Sequence, residues 1–370
     1  MKRYLRQFVF LVYGLLLRWP LWLLIWALGL TGMIKTLFLV YPTDDTECNE
    51  LCPNISWLRR FFSARPTPAG LIMDGWLPVG IYFVIPDPPM QLMLRKNRHK
   101  AEAILRRMLW IKKLTGARAI GLAGQLGPIF EKRHNIPIEP PIYSSTMGNI
   151  FSIQEAVNHM AARGQRRPWQ VSVAILGGGE LGELLESNLG ADGYRTVMVD
   201  VRYTRRDDVR LVDEQEADRR LQEVDFVVNL LPRGRDFMAC RLHRRIPENA
   251  VIIDFSRPAI PAGDLEQTVV MGNRVHRRGM QFFMELPGGW QRHELPACSI
   301  PSLLASLGGY TVKTMEDFRL AARQMAFGTA LAARPVPFSE VLRNRWRGFA
   351  GELSLGRLLL FVRKSLRSAT

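Results

Sequence analysis

The sequence predicts an α/β protein of two units, the second a doubly wound parallel sheet, and three observations lead to that class. The chain has 370 residues, enough for two packed domains with appendages. Its 47% hydrophobic and 23% charged residues are those of a globular protein, which excludes a disordered scaffold and a disulfide-stapled mini-protein. From the middle of the chain onward, short apolar runs alternate with longer amphipathic stretches, as strands and helices do in a doubly wound fold.

Taken in order, residues 21–41 read LWLLIWALGLTGMIKTLFLVY, 21 positions with one charge, long enough to cross a bilayer core. Residues 4–19 ahead of them are apolar but broken by Arg6 and Arg18, and Pro20 separates the two stretches. No small-residue cleavage pattern follows promptly, so residues 1–41 read as a membrane element that stays rather than a signal peptide. A detachable anchor with no part in the chemistry is the plainer alternative.

Residues 44–89 are rich in proline and turn formers, and the run 77–85 is too short for a second span, so it reads as strand or loop. A basic amphipathic helix follows over 94–114, with Ile104, Leu105, Met108, Leu109 and Ile111 on its apolar side and Gly116 ending it. Ala119-Ile-Gly-Leu122 is a short buried strand entering a glycine-rich turn, Gly148 and Asn149 open a helix that runs through Met160, and residues 164–168 are a linker.

The next unit carries the strongest motif. Val171-Ser-Val-Ala-Ile-Leu176 is a strand; Gly177-Gly178-Gly179-Glu180-Leu181-Gly182 follows it and opens a helix. This is GxGxxG between a strand and a helix, where the first glycine permits the tight turn, the second lets a pyrophosphate approach and the third packs helix on strand. The helix N-terminus offers amides to the phosphates. Two more buried strands at 225–230 and 250–255 continue the alternation, so we expect a Rossmann-type dinucleotide-binding domain. A glycine-rich turn that binds another ligand, or none, is the alternative.

Asp200 ends the following strand 18 residues after Gly182 and sits where a carboxylate accepts ribose hydroxyls, which suits NAD. Arg202, Arg205 and Arg206, in the same loop, suit the 2′-phosphate of NADP.

The net charge of +16 is concentrated at the ends. Residues 1–41 hold five basic residues and no acid; residues 334–370 hold eight and two. Basic ends beside apolar stretches suit an anionic membrane surface better than a nucleic-acid cleft, so we expect membrane lipids and no nucleic acid as partners. The tail from 334 interleaves Trp346, Phe349, Leu353 and Leu358 with arginines, as an in-plane membrane helix does and as a domain-packing terminal helix also does. Lys and Arg are more numerous before 21–41 than after it, which by the positive-inside rule would export the body. Nicotinamide cofactors and reduced thiols are cytoplasmic resources, so we expect the body to face the cytoplasm: either the segment is a re-entrant or in-plane hairpin that returns there, or the charge bias misleads. The four cysteines form no CxxC pair and the six histidines no ligand-spaced set, so no metal site is expected.

The order of motifs resembles that of the long-chain acyl-[acyl-carrier-protein] reductases, aldehyde-forming enzymes, over residues 75–331. The resemblance is carried by the basic helix around 100–113, by Gly121-Leu-Ala-Gly-Gln125, by Thr146-Met-Gly148-Asn149, by Gly177 to Gly182, and by Leu295-Pro-Ala-Cys298. It implies that Cys298 takes the acyl group as a thioester, that NADPH or NADH reduces it, and that Gly148 and Asn149 lie beside the cofactor. The substrate it implies is an acyl thioester of acyl carrier protein or coenzyme A. Three residues after its cysteine the family carries a glutamate, where this chain has Pro301. The family's glycine-glycine-phenylalanine-threonine-serine loop stands here as Ala123-Gly124-Gln125-Leu126-Gly127, without either hydroxyl.

The expected division is a membrane segment at 1–41, an α/β substrate domain at 42–164, the Rossmann domain at 165–295, helices returning to the substrate domain at 296–333, and the basic tail at 334–370. The leading functional reading is a membrane-associated reductase of an acyl thioester. A shikimate-dehydrogenase-like or glutamyl-tRNA-reductase-like oxidoreductase is a second, and a catalytically silent nucleotide-binding membrane protein a third.

Overall fold

A computed structural model describes residues 18–43, 47–49, 56–200, 219–261, 265–283 and 290–332, with residues 8, 12 and 263. The basic tail, Arg202, Arg205 and Arg206 lie outside the described residues.

The apolar run at 21–41 is not one membrane crossing. Helix α1 (Arg18–Leu30) ends at a turn in which Gly32 adopts φ +65°, and strand β1 (Thr36–Val40) then enters the fold. Every residue of β1 is buried, and Leu37, Phe38 and Leu39 have no exposed surface. A single crossing does not form here for a physical reason: a strand buried on both faces of a parallel sheet is as uniformly apolar as a membrane helix. Among the described residues, no helix is long and apolar enough to cross a membrane. Nor is the segment detachable, since β1 is an interior strand of the first sheet.

That sheet forms around β1. Strands β2 (Thr67–Asp74) and β3 (Leu77–Val84) make an antiparallel pair, and β3 runs parallel to β1. On the other side lie β4 (Ala119–Leu122) and β5 (Ile142–Tyr143), both parallel. Helix α2 (Ser56–Phe62) precedes β2. Helix α3 (Arg98–Thr115) buries Ile104, Leu105, Met108 and Ile111 as its periodicity requires, and left-handed Gly116 caps it.

Helix α4 (Thr146–Arg163) joins the two units, because Phe151 packs in the first core while Ile150, Ile153 and Val157 pack in the second. The second sheet is wholly parallel. Strand β6 (Ser172–Leu176) lies between β7 (Arg195–Val199) and β8 (Phe226–Asn229), followed outward by β9 (Val251–Asp254) and β10 (Thr268–Met271). The chain leaves β6 toward β7 on one side and returns to β8 on the other, so the carboxyl end of β6 is the switch point where ligands bind in open α/β sheets. Helix α5 (Glu180–Ala191) starts there. The class is α/β with a Rossmann-type doubly wound unit.

After β10 the chain leaves the parallel sheet. Strand β11 (Arg274–His276) pairs with β13 (Leu295–Pro296) and β14 (Gly328–Thr329), while β12 (Met280–Phe283) joins the first sheet against β2. Besides the five strands of the parallel sheet, the span 165–295 therefore holds β12 of the first sheet, and an Arg277–Asp74 ion pair of 2.9 Å reinforces that return. Helices α6 (Ile300–Leu303) and α7 (Met315–Gln324) lie between β13 and β14.

Candidate functional site

A cavity of about 570 Å³ opens between the two units at the carboxyl ends of β1, β4 and β6, and its walls are mainly apolar. Gly177, Gly179, Glu180, Leu181 and Gly182 line one side, and Asn149 and Cys298 line another. The two sequence-derived sites thus share one space.

Each glycine of the loop has its own reason. Gly177 has φ +118°, a conformation that a side chain strains. A Cβ on Gly182 would lie 2.0 Å from the Gly177 carbonyl oxygen, so only glycine lets α5 abut the turn. A Cβ on Gly179 would meet no atom within 4 Å, which leaves the backbone open toward the cavity. Gly179 is the N-cap of α5 and makes no side-chain cap, so the first-turn amides face a place that an anion can occupy. The loop fits a pyrophosphate. Glu180 adds a negative charge at this mouth, and Lys132 meets it at 2.6 Å from the opposite unit.

Asp200 is buried, and its Oδ2 accepts a 2.8 Å hydrogen bond from the Gly178 amide. It braces the glycine loop and does not line the cavity.

Cys298 sits in a one-turn helix (Ala297–Ser299) leading into α6 and faces the cavity. Burial pushes its thiol above the ordinary 9.0, opposed by a backbone hydrogen bond from Gly124 and by the Arg257 guanidinium. Desolvation is the largest influence on this sulfur and works against the thiolate that the following helical turns, which run on from Ala297 to Gly308, would favour. Cys240 is exposed, away from the cavity.

Gly148 and Asn149 divide in role. Asn149 is buried and lines the cavity. Gly148 does not line it: a Cβ there would fall 2.2 Å from the Ala297 carbonyl oxygen and 3.0 Å from Pro301 Cδ. Its absent side chain lets α4 pack directly under the turn that carries Cys298.

Sequence reasoning missed three residues. Tyr41, at the end of the supposed membrane segment, is buried in the cavity wall, and its Oη accepts a 2.9 Å hydrogen bond from the Gln125 amide. Burial pushes its phenol up to about 12. The Gln125 amide thus holds the phenol oxygen, and the preceding residue's backbone, Gly124, favours the charged form of the Cys298 sulfur. Arg257 also lines the cavity and donates to Glu47 Oε1 at 3.1 and 2.6 Å, while Glu47 Oε2 accepts from the Thr43 amide and hydroxyl, each at 2.8 Å. Asp254, with no exposed surface, accepts from Asn229, from the amide and hydroxyl of Ser256 and from the Ile260 amide, which fixes the loop that carries Arg257. The missed signal was a run of apolar residues closed by tyrosine and proline.

No family model and no curated protein matches the chain. Among solved structures, an NADPH-dependent glyoxylate/hydroxypyruvate reductase from Sinorhizobium meliloti is similar at 21% identity and TM-score 0.24 over 30% of this chain and 52% of that one, about half its length. L-Tryptophan dehydrogenase from Nostoc punctiforme is similar at 14% identity and TM-score 0.41, over 86% of this chain and 90% of that one. A hetero-hexameric glutamate dehydrogenase from Thermus thermophilus is similar at 13% identity and TM-score 0.38, over 80% and 74%.

Proposed function

We propose that the chain is a nicotinamide-dependent oxidoreductase that reduces an acyl thioester to an aldehyde through Cys298. The observation that supports it is the single cavity shared by Cys298 and the Gly177 to Gly182 loop.

Gly177, Gly179, Gly182 and the first turn of α5 would hold the dinucleotide pyrophosphate. When bound, the dinucleotide supplies the hydride that turns a cysteine thioester into an aldehyde. Cys298 Sγ attacks the carbonyl carbon of the substrate, forming a new carbon–sulfur bond as the carrier thiol departs with the cysteine proton. In the reductive half the carbon–Sγ bond breaks, and Cys298 regains one proton from solvent. Arg257 and the Gly124 amide favour the thiolate that both halves require. Tyr41, kept protonated by burial, is the donor for the carbonyl oxygen as negative charge builds there. Met93, Ile129, Leu231, Phe255 and Trp290 give the cavity walls an apolar character suited to an acyl chain.

The test is NADPH and NADH oxidation by purified protein with acyl-carrier-protein and coenzyme A thioesters. Oxidation that requires Cys298 supports the reading. NADPH or NADH oxidation with oxo acids, or reduction of NADP+ or NAD+ with hydroxy or amino acids, unaffected by Cys298→Ala, replaces it with a dehydrogenase of another kind.

A further inference from the structure

Helix α1 is apolar on every side. Its inner face is used: Leu21 packs with Leu58 and Phe62 of α2, Trp22 meets Trp110 of α3 edge-on at 5.5 Å, and Gly29 abuts Thr115 so closely that a Cβ would lie 2.7 Å from the Thr115 Cα. Its outer face presents Trp19 at 79% exposure, Leu23 at 62% and Leu30 at 67%, with Leu24 and Trp26 also exposed. Trp57 of α2 and Trp110 of α3 are exposed beside it. A surface helix normally keeps its outer stripe polar, and an exposed apolar patch with a polar rim marks a contact surface.

The rim chooses the partner. Helices α1, α2 and α3 together carry nine lysines and arginines and one acid, Glu102, which Arg98 neutralises at 2.9 Å. Arg60, Arg106 and Lys113 are exposed. A second copy in a two-fold contact would press two such rims together. An anionic lipid surface satisfies both the tryptophan-rich face and the rim. Geometry sets the mode: among the described residues the 13 of α1 span about 20 Å, short of a hydrocarbon core of about 30 Å, and β1 is locked in the sheet six residues later.

We propose that the outer face of α1, with Trp57 and Trp110, lies in the headgroup layer of an anionic bilayer and holds the protein in the membrane plane without crossing it. This stands apart from the reading of Cys298. The experiment is flotation of the full-length protein with vesicles of phosphatidylcholine alone and of phosphatidylcholine mixed with phosphatidylglycerol. Binding to the mixed vesicles should exceed binding to the neutral ones by about tenfold or more and weaken in high salt. Leu23→Glu/Trp26→Glu, checked for folding by circular dichroism, should lose vesicle binding, and Arg106→Ser/Lys113→Ser should weaken it about tenfold on the mixed vesicles alone. Flotation of the folded glutamate variant like the parent would overturn the proposal. So would a dimer that the glutamates dissociate, with no vesicle binding by the parent. If the glutamate variant does not fold, unchanged binding by the serine variant overturns it.

Discussion

Replacing Gly148 by alanine adds one carbon in a place where the structure has no room for it. The Cβ would sit 2.2 Å from the Ala297 carbonyl oxygen, whereas a relaxed carbon–oxygen contact is about 3.3 Å, so the cysteine turn must retreat by about 1 Å. The turn is not slack, since the Ala297 amide donates to the Asn273 carbonyl at 3.0 Å and Ser299 Oγ to the Pro296 carbonyl at 2.7 Å. Overpacking of this kind costs about 1–3 kcal/mol of stability. A misplacement of about 1 Å at a nucleophile costs about 100-fold in rate. The assay follows thioester reduction and, in a Cys240→Ala background, alkylation of Cys298, with dinucleotide affinity measured by calorimetry. Turnover should fall about 100-fold while nucleotide affinity stays within about twofold, because the glycine loop is untouched. Parental turnover in a stably folded Gly148→Ala protein would refute the packing argument.

Gly179→Val should abolish dinucleotide binding with little change in Tm, since its extended backbone accepts valine and the side chain meets only the cavity; unchanged affinity by calorimetry would remove the loop from the site. Burial raises the Tyr41 phenol from 10.0 to about 12, so the folded state keeps a proton that the unfolded chain loses. The associated stability, about 3 kcal/mol, is present below pH 10 and lost toward pH 12, and Tyr41→Phe should flatten the denaturation profile in that window. Arg257→Met removes a cation that favours the Cys298 thiolate and takes one partner from Glu47, which keeps its bonds from Thr43, so alkylation of Cys298 near neutral pH should slow and stability should fall by about 1–3 kcal/mol. Equal alkylation rates would exclude that role.

The glycine loop was legible because its physics is local: turn, close approach and helix packing fall within six residues, and the flanking strand and helix are periodic. The α3 helix was legible for the same reason, with Gly116 as its stop. Strand β1 was not, because five apolar residues buried on both faces carry no period to separate them from the helix before them. Only Gly32 and the short Thr36–Val40 run hint at the break. Tyr41, Glu47 and Arg257 could not be joined by reading, since the fold alone brings residues more than 200 positions apart into one ion pair. The thiol of Cys298 was read from its place before a helix, while its environment is decided by burial from strands distant in sequence.

The central claim is that Cys298 accepts an acyl group beside the dinucleotide. Incubating the purified protein with a long-chain acyl thioester without cofactor, then measuring intact mass and mapping the adduct, tests it most directly. One acyl group is expected on Cys298, absent in Cys298→Ala, nearly absent in Cys298→Ser, and discharged as aldehyde when NADPH or NADH is added. No adduct, together with full turnover by the alanine variant, would contradict it.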